Sequence, residues 1–217
     1  MNHPFRKYDM VIFDVDGTLV DTSKGIVEST NDAFISLGYD PLPEIVIKKC
    51  IGPPLTDSLI SMNLLKMNDK DIFLKKFRDC YKDRMISGST LYDGITDVLR
   101  INTEKGIINA VATNKPDYLT EKLLRELKVD SYFKVLIGSN PDKFTKKEDM
   151  IAECMTITGI PSDKVLYVGD TLHDSVAAAK NSIDFIGVSY GFGFNDGDDA
   201  IESPDELLRF IYDKNME

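Results

Sequence analysis

The chain has 217 residues, and its 36 acidic against 26 basic side chains give a formal net charge of −10, which disfavours binding to nucleic acid or to an anionic membrane surface. Hydrophobic residues make up 42% of the chain, which is enough to bury a core and excludes a disordered or low-complexity chain. Cys50, Cys80 and Cys154 lie far apart and no apolar stretch is long enough for a signal peptide or a membrane span, so we expect a soluble, cytoplasmic protein with reduced thiols.

Short apolar runs alternate with amphipathic stretches along most of the chain. Runs bounded by Gly, Asp or Asn are typical of strands buried on both faces of a sheet. They fall at Met10–Phe13, 107–112, 135–137, 165–168 and 185–188. Helices are predicted from Lys115-Pro116 to Lys128, over 148–158, and from Ser203-Pro204 onward, the last after a loop at 195–199. This alternation predicts an α/β fold with a Rossmann-like, doubly wound parallel sheet.

One long segment after the first strand breaks the alternation. Between about residues 22 and 87 the apolar residues recur only at helical spacing, which predicts four helices. Their predicted ranges are 26–37, 44–50, 55–67 and 69–86. The segment therefore resembles a separate helical domain at residues 21–87, inserted into an α/β core formed by residues 1–20 and 88–217, with hinges at 20–22 and 87–92.

Acidic side chains follow the first predicted strand directly, in the sequence FDVDGTL of residues 13–19. Asp14 and Asp16 would lie at the carboxyl end of that strand, which is where open α/β sheets bind ligands. Asp14 follows a wholly apolar strand, and burying its charge there would be costly without a cation as partner. We therefore interpret this segment as the centre of a functional site.

Two later strand ends carry polar groups of a related kind. Thr113 and Asn114 offer a hydroxyl and an amide at a predicted helix N-terminus, where anionic oxygens are favoured. Asp170 and Asp174 are four residues apart, so on a helix they would share one face and repel each other unless a cation compensates. Oxygen ligands without His or Cys suit Mg²⁺ rather than Zn²⁺. With a lysine nearby, these groups predict a site for a phosphoryl group.

The ordered motifs resemble those of the haloacid dehalogenase superfamily of phosphohydrolases. They are DxDGT at residues 14–18, a threonine after a second strand, a lysine, and GDxxxD at residues 169–174. The helical insert resembles the mobile cap of the phosphoglycolate phosphatase-like branch. The resemblance covers roughly residues 7–210.

This resemblance implies a role for each motif residue. Asp14 would be the nucleophile that attacks phosphorus and forms an aspartyl-phosphate, and Asp16 would act as general acid and base. Mg²⁺ would be held by the Asp14 carboxylate, the Asp16 backbone carbonyl and Asp170, with Asp174 nearby.

The phosphoryl group itself would be held by other residues in the same resemblance. Thr113, the Asn114 backbone and Gly17 would bind its oxygens, together with a catalytic lysine. Counting back from Met150-Ile151 in the pattern of this branch selects Lys147, with Lys146 as the alternative. The insert also carries Ile-Gly-Pro-Pro-Leu at residues 51–55, which would serve either as a rigid corner or as a substrate contact.

The resemblance leaves the substrate open. A small phosphorylated metabolite is expected, with phosphoglycolate first, nucleoside 5′-monophosphates second and pyrophosphate third. Asp16 argues against a dehalogenase, and a mutase is disfavoured because the only histidines, His3 and His173, lie outside the insert. A phosphonatase using an insert lysine and a catalytically silent phosphate-binding module are the remaining alternatives. Either a monomer or a homodimer is compatible with the sequence.

Overall fold

The computed structural model describes residues 7–140, 145–195 and 198–212. Its core is one six-stranded sheet in which every pair of neighbouring strands is parallel. In sheet order the strands are β5 (Phe133–Ser139), β4 (Ile108–Pro116), β1 (Met10–Phe13), β6 (Val165–Gly169), β7 (Asp184–Val188) and β8 (Ala200–Ile201). The predicted α/β fold with a parallel, Rossmann-like sheet is confirmed.

Helices cover both faces of the sheet. The apolar side chains of β1 accordingly alternate between two separate clusters. Val11 and Phe13 belong to a cluster to which the core helices α5 (Ile95–Glu104), α6 (Asp117–Glu126) and α9 (Pro204–Tyr212) contribute, together with residues of the inserted segment. Met10 and Ile12 belong to the opposite cluster, shared with α7 (Lys147–Thr158) and α8 (Leu172–Lys180). This double covering explains why the strands read as unbroken apolar runs.

A helical segment is inserted between the short strands β2 (Val20–Asp21) and β3 (Thr90–Leu91). These two strands pair antiparallel, so the chain leaves the core and returns to it side by side. The inserted helices are α1 (Ser23–Ser36), α2 (Glu44–Lys48), α3 (Leu55–Ser61) and α4 (Lys70–Arg84). We call residues 23–84 the cap. It has an apolar cluster of its own, which includes Phe34, Leu59 and Phe73.

Some predicted boundaries were wrong. Lys115 and Pro116 do not open a helix: they end β4, where Pro116 pairs with Ser139 of β5, and α6 begins one residue later, at Asp117. The predicted helix over 55–67 stops at Ser61, because the chain turns through Asn63 in a left-handed conformation. Residues 195–199, predicted as a loop, lie partly outside the described residues, and β8 follows them.

Across the three described ranges, no helix combines the length and the apolar character needed to cross a membrane.

Candidate active site

The carboxyl ends of three adjacent strands bring the sequence-predicted residues to one edge of the sheet. Asp14 follows β1 directly, Thr113 lies near the end of β4, and Asp170 follows β6. Because β4, β1 and β6 are neighbours, these three side chains converge although they are far apart in sequence. The first turns of α7 and α8 add Lys147 and Asp174.

Three carboxylates form the centre of this arrangement. One ligand oxygen each of Asp14, Asp170 and Asp174 lies within 4.8 Å of the other two, and all three residues are buried. Lys147, also buried, places its Nζ 3.0 Å from Asp14 Oδ2 and 2.5 Å from Asp174 Oδ1. Lys146 instead occupies the position just before α7 and is exposed, so of these two lysines Lys147 is the one that contacts the acidic cluster.

The charges in this cluster do not balance. Burial raises the pKa of Asp14 to about 6, although Lys147 acts in the opposite direction. Burial, reinforced by the negative charges of Asp174 and Asp14, holds the pKa of Asp170 well above its usual range. A single lysine among three buried carboxylates therefore leaves negative charge uncompensated.

The donor set fits Mg²⁺. Asp14 Oδ1 is buried and meets no partner in hydrogen-bonding geometry among the residues that the structure describes. An unpartnered carboxylate oxygen beside two further buried carboxylates is the environment that a hard, oxygen-seeking cation stabilises. Asp14, through its unpartnered oxygen, would hold such an ion directly, and Asp170 would add a second carboxylate beside it.

Asp174 is held in place by protein groups. Its Oδ2 accepts hydrogen bonds from the Thr171 backbone N–H at 3.0 Å and from the Thr171 hydroxyl at 2.6 Å, which caps the first turn of α8. Its Oδ1 contacts Lys147. Because both oxygens are occupied, Asp174 is suited to orienting Lys147 and to meeting an ion through an intervening water.

A loop that no sequence pattern predicted, at residues 190–193, packs against Asp170. The Phe192 backbone N–H donates to Asp170 Oδ2 at 2.8 Å, and Gly191 lies so close that a Cβ there would overlap with Asp170. Gly17 packs on the same carboxylate with a φ of +86°, and a Cβ at this position would also collide with it. Gly17 thus has a packing role beside its predicted contact with substrate.

The Asp16 side chain is engaged by a different lysine from the one that contacts Asp14 and Asp174. Its Oδ1 lies 3.0 Å from Nζ of Lys115, and the same Nζ donates to the Tyr81 hydroxyl at 2.7 Å. Lys115 is buried, and although burial lowers its pKa, the charge of Asp16 and the contact with Tyr81 raise it overall, so it stays protonated. Neither Lys115 nor Tyr81 was predicted as a site residue. The only signal was the position of Lys115 directly after Thr113 and Asn114.

The cap loop at residues 51–55 rests on the core beside this site. Asn114 Nδ2 donates to the Gly52 carbonyl at 2.8 Å. Gly52, with a φ of +109°, approaches Thr171 so closely that a Cβ would lie 2.5 Å from its methyl group. The Asn114 side chain is therefore engaged by the cap, while the expected phosphoryl contact of its backbone stays a prediction.

A cavity of about 460 Å³ lies between the cap and the core, next to Asp16. Its walls combine apolar side chains of the cap and of α6 with a few polar groups. They include Pro53, Leu55, Leu74, Phe77, Arg78, Asn114, Lys115 and Leu119. A ligand in this cavity would contact Asp16 and Lys115 at its core end and the cap at the other.

Comparison with known proteins places this site in a family. A sequence model of haloacid dehalogenase-like hydrolases matches residues 11–188. The chain is 30% identical over 191 residues to a 5′-nucleotidase of Pseudomonas aeruginosa, covering 88% of this chain and 86% of that protein. It is 29% identical over 215 residues to a phosphoglycolate phosphatase of Pseudomonas fluorescens, covering 93% and 78%.

Two further comparisons concern a longer protein and a solved structure. The chain is 32% identical over 192 residues to the tyrosine-protein kinase PtkA of Mycobacterium tuberculosis, but it spans only 65% of the length of that protein. It superposes on the crystal structure of a predicted phosphatase from Clostridium acetobutylicum with a TM-score of 0.87 and 32% identity, covering 94% of this chain and 98% of the other. The family match contains every motif residue from Asp14 to Asp174, and the chain belongs to the haloacid dehalogenase-like hydrolases.

Proposed function

We propose that the protein is a Mg²⁺-dependent phosphatase that hydrolyses a small phosphate monoester through an aspartyl-phosphate on Asp14. The observation that carries the proposal is the buried cluster of Asp14, Asp170 and Asp174, which holds one lysine and one unpartnered carboxylate oxygen at the carboxyl edge of the sheet. Relatives named phosphoglycolate phosphatase and 5′-nucleotidase support phosphate-ester chemistry.

The first step transfers the phosphoryl group to the protein. An Asp14 carboxylate oxygen attacks phosphorus, the bond from phosphorus to the leaving oxygen breaks, and Asp16 gives its proton to that oxygen. Lys147 fixes the Asp14 carboxylate at 3.0 Å and supplies positive charge where charge develops. Bound Mg²⁺ would add charge that draws the phosphoryl oxygens towards Asp14.

The second step returns Asp14 to its starting state. Asp16, now a carboxylate, takes a proton from a water molecule as the water oxygen attacks phosphorus. The bond from phosphorus to Asp14 breaks and inorganic phosphate is released. Thr113, whose side chain is buried next to Asp14, and the Asn114 backbone would hold the phosphoryl oxygens in both steps.

The cap would exclude bulk water during this chemistry. Its loop at residues 51–55 contacts the core through Asn114 and Thr171, and its helix α4 contacts Lys115 through Tyr81. Product release would require these contacts to open, as in other enzymes with a lid.

Phosphoglycolate is the first substrate that we propose, and phosphate release from a panel tests it. The panel contains phosphoglycolate, nucleoside 5′-monophosphates, pyrophosphate and sugar phosphates, each with Mg²⁺ and with EDTA. We expect release from one ester well above the rest, and its loss in EDTA. Release that persists in EDTA would contradict the proposed role of the metal, and release from no member would favour a silent phosphate-binding module.

A nucleoside 5′-monophosphate is the second candidate, because the cavity favours a larger leaving group. Its volume of about 460 Å³ lies within the ~300–1,000 Å³ of sites that enclose drug-sized ligands, far above the need of a two-carbon acid. Phe77 and Leu74 offer an apolar wall for a base. A kcat/KM for nucleotides above that for phosphoglycolate would favour this candidate.

A further inference from the structure

Lys115 joins three parts of the molecule that are separate in sequence. It lies near the end of β4, and its Nζ reaches Asp16 Oδ1 in the loop after β1 at 3.0 Å. The same Nζ donates to the hydroxyl of Tyr81, on cap helix α4, at 2.7 Å and lies 4.8 Å from the centre of its ring. The side chain of Lys115 is only 3% exposed, and Tyr81 is 3% exposed.

This buried lysine is not needed to neutralise the acidic cluster. Lys147 already contacts Asp14 and Asp174, whereas Lys115 contacts neither. A buried ammonium group is costly unless its partners are well placed, so Lys115 is held where it is by Asp16 and Tyr81 together. Each buried lysine thus serves a different catalytic carboxylate.

The two contacts of Lys115 differ in how they depend on the cap. Lys115 and Asp16 both belong to the core, so their contact does not require the cap. Tyr81 belongs to the cap, and its hydroxyl can reach Lys115 only when α4 lies against the core. The Asn114–Gly52 hydrogen bond closes the cap at a second point.

We propose that Lys115 and Tyr81 are positioning residues: Lys115 holds the Asp16 carboxyl group at the cavity, and Tyr81 fixes Lys115 in this place, for proton transfer to the leaving oxygen, when the cap is closed. The proposal rests on the phosphatase function proposed above. It predicts that loss of either residue harms the reaction most where the leaving oxygen needs a proton.

The leaving group therefore provides the test. We compare kcat/KM for p-nitrophenyl phosphate, whose phenolate leaves without a proton, with kcat/KM for the faster of phosphoglycolate and AMP, which are alkyl esters that need one. For Tyr81→Phe we expect an about tenfold loss on the alkyl ester, part of the ~10²–10⁴-fold that acid catalysis supplies, and less than about twofold on the aryl ester. Lys115→Met should show the same selectivity with a larger loss. Lys115→Arg should retain more activity on the alkyl ester than Lys115→Met.

Tyr39→Phe is the matched control. It removes another hydroxyl from the cap, but that hydroxyl bonds to Asp69 within the cap at 2.5 Å rather than to the core. Both rates should be unchanged in this variant. An equal loss on both esters in Tyr81→Phe, no loss at all, or the same selective loss in Tyr39→Phe would overturn the proposal.

The contacts that link Asp16 through Lys115 to Tyr81 can also be tested without an activity assay. A double-mutant cycle combines Asp16→Asn with Tyr81→Phe and measures the midpoint of unfolding in urea. Because Lys115 links the two side chains, their effects should not add. Additive effects would overturn the proposal even if the enzyme is active. A wild-type protein that releases phosphate from none of these three esters and from no other member of the panel would instead refute the phosphatase function, and the cycle would still decide whether the link exists.

Discussion

At the level of single residues, the candidate site depends on close contacts between backbone atoms and the Asp170 carboxylate. Gly17 has a φ of +86° and lies directly against the Asp170 carboxylate. Asp170 also accepts from the Phe192 N–H, so the carboxylate is held from two sides. The motif at residues 14–18 thus contributes a glycine for a steric reason, beside its two acids.

Gly17→Ala should therefore destabilise the protein and weaken Mg²⁺ binding. The added methyl group must displace Asp170, and the positive φ adds strain, for a combined loss of about 3 kcal/mol of unfolding free energy. Gly159→Ala is the matched control, because Gly159 has a φ of +71° with nothing within 4 Å of the added Cβ. Urea unfolding and Mg²⁺ titration would check this. Equal losses in the two variants would show that Asp170 is not crowded by residue 17.

Three of the residues that the sequence predicted share one property, because each lies at the carboxyl end of an apolar strand. Asp14, Thr113 and Asp170 could be found because each sits at a strand end, where parallel sheets collect functional groups. Lys115 could not, since the following Pro116 is a typical helix-start signal, and only pairing with Ser139 of β5 keeps both residues in the strand. Tyr81 was missed because helical spacing does not tell which face of α4 meets the core.

At the scale of elements, the long strands and helices were predictable and the short connections were not. Buried strands such as β1 and β6 carry an unmistakable apolar run. The two-residue strands β2 and β3 are too short for any pattern, although they determine where the cap joins the core. The loop at residues 190–193 acquires its role only through packing on Asp170, which local sequence does not encode.

The cap loop at residues 51–55 contacts the core through Gly52. Gly52→Ala places a methyl group 2.5 Å from the Thr171 side chain and should push the loop away from Asn114. We expect kcat/KM for the preferred ester to fall by ~10–10²-fold, because small displacements of positioning groups have effects of this size.

Gly38→Ala controls for strain alone, since Gly38 also lies in the cap at positive φ, +79°, but faces open space. Its kcat/KM should match that of the wild type. If Gly52→Ala were as active as Gly38→Ala, the contact between this loop and the core would have no part in turnover.

At the scale of the whole molecule, the buried acids link stability to pH and to metal. The pKa of Asp14 is raised to about 6 in the folded state, above the ~3.9 of an unperturbed aspartate. The folded state therefore prefers the protonated carboxyl. The contribution of the protonated Asp14 carboxyl group to the free energy of unfolding is complete below about pH 4 and is lost as the pH rises through about 6. Asp170, whose pKa is also raised, extends this loss to higher pH.

In EDTA, the protein should therefore lose stability between pH 4 and 7, and Mg²⁺ should restore more of it at pH 7 than at pH 5. Asp14→Asn removes the titrating group and should flatten this dependence. Thermal unfolding over this pH range, with Mg²⁺ and with EDTA, would check both. A wild-type profile parallel to that of Asp14→Asn would contradict the raised pKa of Asp14, and Mg²⁺ stabilisation equal at both pH values would contradict binding to the carboxylates.

In the proposed mechanism Asp14 carries the phosphoryl group, and this intermediate can be trapped. Asp16→Asn should slow hydrolysis of the aspartyl-phosphate. When this variant is incubated with p-nitrophenyl phosphate and Mg²⁺, the phosphorylated form should therefore accumulate, and an acid quench should preserve it. Peptide mass spectrometry should then find one phosphoryl group, sensitive to hydroxylamine, on Asp14, and none in EDTA or when Asp14→Asn is added. Phosphate release without this label, or a label on another residue, would contradict the mechanism.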